Sequence, residues 1–159
     1  MTITLATHLA GGLVALAIGP WQLNSRLRAR AINWHRWMGR GYVVAVLVGG
    51  LAALPLAARS QAGLVAHIGF GLLAILWLTA TALAYFRIRA GDRVSHREWM
   101  IRSYSLTLAA VTLRVYLPLS QVAGIPFADA YQAIAWICWM PNLVMAEWVV
   151  LRRRTGFNN

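Results

Sequence analysis

Five predominantly apolar stretches run along the chain, at 3–23, 36–57, 62–87, 99–118 and 129–150, separated by short polar segments. Each is close to the roughly 20 residues that a helix needs to cross a hydrocarbon core. Together they take up most of the 159 residues. The pattern therefore predicts an all-α membrane protein with five transmembrane helices, folded as one domain over 1–159. The N-terminus has no basic leader and runs straight into the first span, unlike a cleavable signal peptide.

Polar residues interrupt this pattern in a repeated way. "HLAGGLVAL" at 8–16 matches "HIGFGLLAI" at 67–75 without a gap, and "HRWMGRGY" at 35–42 matches "HREWMIRSY" at 96–104 with one extra residue, Glu98. The shared positions include His, Gly, Trp, Met, Arg and Tyr, which apolar composition alone does not align. The matches lay span one over span three and span two over span four. The chain thus reads as a duplicated two-helix hairpin, about 1–58 and 60–120, with an additional helix at about 129–151. Parallel repeats of this kind are related by an axis along the membrane normal.

Composition agrees: 60% of residues are hydrophobic and the mean hydropathy is +0.59, above the level of ordinary soluble domains. The net charge of +11 comes from fifteen arginines with no lysine. Thirteen of them follow spans one, three and five, and only Arg59 and Arg114 lie toward the other side. That asymmetry is the positive-inside pattern, with the N-terminus outside and the C-terminus cytoplasmic. It argues against nucleic acid as a partner, since the arginines mark one membrane face. Trp21, Trp34, Trp37, Trp99 and Trp148 sit where an interfacial aromatic belt belongs. The expected location is the inner (cytoplasmic) membrane of a bacterium, with several passes through the lipid bilayer. Cys138 is the single cysteine, so it forms no intramolecular disulfide.

Topology sets the histidines at two levels, His8 with His67 near the outer ends and His35 with His96 at the cytoplasmic ends. Paired imidazoles facing across a bundle can ligate one haem iron from both sides. Gly12 and Gly71 each follow an outer histidine by four residues, on the same helix face, and leave a gap for a flat macrocycle. Ala15 and Gly19 extend that small stripe on span one. The other reading of these features is histidine hydrogen bonding and close helix packing. Zinc fits less well, because no cysteine or well-placed carboxylate completes an outer site. Glu98 rotates the following face by about 100°, so the haem count stays at two or one, with a basic rim as the other role of His35 and His96. If both levels are filled, the irons lie about 20 Å apart along the normal.

The four-histidine arrangement resembles the transmembrane di-haem b-type cytochromes of the ascorbate-reducible type, in which four consecutive helices each supply one histidine. That resemblance implies haem b held by His8 with His67 and by His35 with His96. The chain has five spans where that type has six, and no lysine. From "THLAGGLVALAIGP" to "WICWMPNLVMAEW" it also resembles a family of predicted bacterial membrane proteins of unknown function. No flavin or nicotinamide motif is present, so a donor would be a quinol, a small reductant or another redox protein.

Ionisable residues inside spans point to function. Arg114 lies at the outer level, suited to a haem propionate or to Asp129. Arg40 and Arg102 lie inside the cytoplasmic histidines, suited to propionates, a quinone headgroup or the interface. Glu147 is placed to neutralise one of these arginines, and Pro141 and Asn142 to kink span five. The leading expectation is a di-haem membrane cytochrome, an electron-transfer oxidoreductase or its membrane subunit. It would pass electrons between a quinol or cytoplasmic donor and a periplasmic acceptor. The alternatives are a non-redox accessory subunit of a larger membrane complex and a small transporter. Reporter fusions at 24–34, at 88–95 and after Arg152 should all read cytoplasmic. A periplasmic signal from any one would overturn the two-level arrangement.

Overall fold

The computed structural model describes residues 1–60 and 62–156, and every element among them is a helix. In chain order these are α1 (Thr2–Leu23), α2 (Ser25–Arg30), α3 (Ile32–Ala58), α4 (Leu64–Arg89), α5 (Arg93–Thr107), α6 (Ala109–Val122), α7 (Phe127–Ile137) and α8 (Met140–Thr155). Helices α1, α3 and α4 and the α7–α8 pair are each long and apolar enough to cross a membrane. The connections are short. Gly91 and Gly124, just past α4 and α6, take φ of +81° and +72°, the left-handed turn that ends helices at glycine.

The fourth span is where the fold departs from the hydrophobic pattern. The sequence predicts one continuous helix over 99–118; the chain instead breaks at Leu108 into α5 and α6. Hydroxyls explain the break. Ser105 donates to the Arg102 carbonyl, Thr107 to that of Ser103 and Thr112 to that of Leu108. Such back-bonding competes with the helical ladder and bends it. Span five breaks nearby, between α7 and α8, with Pro141 in the first turn of α8. Pro141 lacks the N–H that would continue the ladder. The Asn142 amide donates to the Cys138 carbonyl and to Thr112 Oγ1, both at 3.0 Å, and ties one break to the other.

The helices form a ring. α1 packs along α3, α3 along α4 and α4 along α5, and α5 returns to α1. α1 and α4 therefore stand on one diagonal and α3 and α5 on the other. α7 packs on the half of α4 that begins at Leu64, α8 packs on α5, and α6 leans on α7 without an extended interface to α1 or α4.

Small residues set the α1–α3 spacing. A Cβ on Gly11 would lie 2.6 Å from the Ala45 carbonyl oxygen and 2.8 Å from Gly49 Cα. Between apolar helices in lipid, such close backbone approach is the main source of association. Gly19 also has a use that the sequence does not reveal. Its missing side chain admits the Tyr104 ring, whose Cε2 would lie 2.0 Å from an added Cβ. Gly19 thus receives α5 and does not extend the gap below His8.

Two ion pairs fasten α8 to α5. Arg102 holds Glu147 in a two-pronged contact at 2.6 and 2.8 Å, and Arg154 donates to Glu98 at 2.7 Å. That hydrogen bond holds the Glu98 carboxyl below the ordinary glutamate range. Glu98, the extra residue of the second phrase, therefore serves as an anchor for α8.

Replacing Gly11 with leucine should force the α1 and α3 backbones apart and destabilise the fold by about 1–3 kcal/mol. Leucine at Gly12 or Gly71 has open space around it and should leave thermal unfolding in detergent close to wild type. An equal loss at Gly11 and Gly12 would contradict this packing. For α8, Arg102→Leu and Glu147→Leu should each cost about 2 kcal/mol, and the double variant clearly less than their sum. Strict additivity in that cycle would mean that the pair contributes nothing.

Candidate functional site

The arginine-rich end of the bundle opens into a cavity of about 1420 Å³. Its walls come from α1, α2, α3, α4, α5 and α8, and His35 of α3 and His96 of α5 both line it. The two histidines that the repeat matched therefore share one space across a diagonal. His96 donates Nδ1–H to the Ala84 carbonyl oxygen at 2.8 Å. A carbonyl can only accept, so the hydrogen sits on Nδ1, and in the neutral ring Nε2 keeps its lone pair. That arrangement fixes both tautomer and ring direction in a ligating histidine. His35 is half-buried, with a buried Nδ1 that has no partner.

The outer pair is divided between two tautomers. His8 donates Nδ1–H to Gly49 O at 2.9 Å, leaving Nε2 free, as in His96. His67 is bonded through Nε2 to the carbonyl of Ser60, a free acceptor just past the end of α3. Its ring is therefore turned toward the connection between α3 and α4. Gly12 and Gly71 are both half-buried, and nothing lies within 4 Å of a Cβ added to either. Neither glycine is needed for packing, unlike Gly11, Gly49 and Gly69.

The phrases that carry His35 and His96 also have a local structural use. Arg40 stacks over Trp37 at 5.1 Å, and Arg102 over Trp99 at 4.6 Å. Each pair is three residues apart on one helix face. The shared Trp-Met-x-Arg is thus a cation–π clip made twice. Beyond it the copies diverge. Arg40 lines the cavity, whereas Arg102 is held by Glu147 and does not. Tyr42 points into the bundle centre, and Tyr104 packs on Gly19 of α1. The one-residue insertion of Glu98 accounts for this, since it turns everything after it by about 100°.

Between the two histidine levels lies a buried hydrogen-bond network that the sequence reading did not single out. Tyr42, fully buried, is hydrogen-bonded through its hydroxyl to Ser103 Oγ at 2.8 Å and Thr107 Oγ1 at 3.0 Å. Trp77 Nε1 donates to Thr107 at 2.9 Å, and Thr81 lies 2.7 Å from Ser103. The signal in the sequence is two hydroxyl residues four apart, Ser103 and Thr107, on one face of an apolar helix.

Arg114 is exposed on α6, and its guanidinium donates to the Ala110 carbonyl at 2.8 Å. Asp129 is also exposed, and the two form no ion pair. Among the described residues no group of three or more His, Cys, Asp or Glu gathers as a metal-ion site. His35 and His96 line one cavity, an arrangement that would suit a metal group bringing most of its own ligands better than a bare ion, whereas His67 is already bonded to the Ser60 carbonyl. For such a group the arginine-rich level offers a cavity, two imidazoles and guanidiniums for propionates. The other level offers a free His8 Nε2 and two open glycine faces.

No curated protein and no solved structure matches the chain. A family model described as "Predicted membrane protein (DUF2306)" matches residues 5–150. With most of its length covered, the chain belongs to this membrane protein family.

Proposed function

We propose that the chain is a haem-binding electron carrier of a bacterial inner membrane, with the arginine-rich end in the cytoplasm. The observation that carries this reading is the diagonal pairing: His35 and His96, on non-adjacent helices, line one cavity whose rim is guanidinium. His35 and His96 would hold the inner haem b, and His8 and His67 the outer one, which requires His67 Nε2 to leave the Ser60 carbonyl. Haem between two imidazoles supplies a one-electron iron couple. The chain's own residues supply position. The Ala84 and Gly49 carbonyls aim the imidazoles of His96 and His8, and Arg40 with its neighbours would balance the propionates. Buried Tyr42 and Trp77 separate the two levels and keep water out of the bundle centre. A quinol or a cytoplasmic redox protein would deliver electrons, and a periplasmic partner would take them.

A second reading has support of its own. His8, His67 and His96 each already bond a backbone carbonyl, as histidines do that serve only to lock helices in an accessory subunit. One measurement separates the two. Protein purified from a haem-producing host should show the reduced-minus-oxidised spectrum of low-spin b-type haem. Loss of His35 or His96 to alanine should each lower the haem count by one and leave the outer site. His8→Ala or His67→Ala should each remove the other haem. A wild-type protein without haem after reconstitution would leave the packing reading standing.

A further inference from the structure

The cavity at the arginine-rich end holds more positive charge than two propionates can use. Eight arginines line it, from α2, α3, α4, α5 and α8, against a single carboxylate, Glu98, which is already bonded to Arg154. Among the described residues the other seven form no ion pair. Two propionates would leave five guanidiniums unanswered. Their crowding is physical: Arg97 is held below the ordinary arginine range, by burial first and then by Arg153 and Arg28.

A second, independent observation comes from α1. Gln22 lines the same cavity and is only 7% exposed, yet its amide nitrogen has no hydrogen-bond partner. An amide N–H₂ left unbonded in a buried place costs about 1–3 kcal/mol, so the site wants an acceptor there. Guanidiniums and this amide are all donors. An oxyanion with several acceptor oxygens answers all of them, and phosphate matches the arginine fork in two-pronged fashion. The lining also has an apolar part, with Leu23, Val43, Ile88 and Ile101. The volume also exceeds the roughly 300–1,000 Å³ typical of a pocket for one small ligand. Basic pockets between transmembrane helices on the cytoplasmic side characteristically take anionic lipid headgroups.

We infer that this cavity binds a phosphate ester, gripped by Gln22 and by the arginines of α3 and α5. The ester has two sources, the headgroup of an anionic phospholipid or a soluble phosphorylated compound. The inference does not depend on haem, because the charge excess and the unbonded amide are there with or without it.

The test uses the full-length protein in zwitterionic micelles containing equal dioleoyl phosphatidylglycerol and dioleoyl phosphatidylcholine, with bound lipid counted by native mass spectrometry. A parallel titration uses inorganic pyrophosphate alone, read by thermal stability. Gln22→Leu and the double variant Arg93→Gln/Arg97→Gln remove cavity donors. Arg26→Gln/Arg30→Gln removes the same charge from positions that do not line the cavity. Wild type should retain phosphatidylglycerol over phosphatidylcholine by about tenfold, and both cavity variants should lose most of that preference, as expected when charge-assisted hydrogen bonds are removed. The control should keep it. If pyrophosphate binds instead, and the cavity variants abolish that binding, the source is soluble. Equal behaviour of cavity and control variants toward both probes would overturn the inference. Haem measured in the same samples keeps the readings apart: a haem-free protein that retains the lipid preference refutes only the electron-carrier proposal.

Discussion

Two backbones touch at Gly11 and Gly49, and the shape of the bundle follows from that contact. In lipid there is little hydrophobic gain from pressing one apolar helix on another, so closeness itself has to supply the attraction. α1 and α3 achieve it with Gly11, Ala15 and Gly49, and α3 meets α4 through Gly50, against Leu78. Neighbours in the ring are thereby drawn tight. The diagonals are not, and the space between them has to be filled by large side chains in the middle or left as a cavity at an end. Both happen: Tyr42 and Trp77 fill the centre, and the arginine-rich end stays open.

The filled centre is polar, which in a membrane is expensive unless every group is satisfied. Here the hydroxyls of Tyr42, Thr81, Ser103 and Thr107 and the Trp77 indole bond one another across three helices. Such a network fixes register in a way that leucine packing does not. It holds α3 and α5 at a set distance and rotation, and so determines how His35 and His96 face the cavity two turns away.

Much of this was legible in the chain. Apolar length marked α1, α3, α4 and the α7–α8 pair as long enough to cross a membrane, and the second pair of repeated phrases marked His35 and His96, which line one arginine-rich cavity. What the phrases could not show was that a match in letters can part in space. Tyr42 and Tyr104 occupy equivalent places in the text, yet Glu98 sends one to the centre and the other into the slot at Gly19. Adjacent glycines were equally opaque, since only packing distinguishes Gly11, pressed on α3, from Gly12, beside open space. The break at Leu108 depended on serine and threonine back-bonds, which leave hydropathy almost unchanged. Nothing in the sequence marks Gln22; its buried, unbonded amide nitrogen does.

The division into α5 and α6 bears on how this part of the chain can sit in a membrane. Neither α5, with 15 residues, nor α6, with 14, is long enough to cross alone, since about 15 residues of helix reach about 22 Å of a 30 Å core. α5 also carries Arg102 and three buried hydroxyl residues, Ser103, Ser105 and Thr107. A segment of that kind has little reason to leave the translocation channel for bare lipid by itself. The surfaces that satisfy it are the Thr81 face of α4 on one side and Glu147 of α8 on the other. A chain made from its N-terminus therefore has the α4 surface before α5 and the α8 surface only after it.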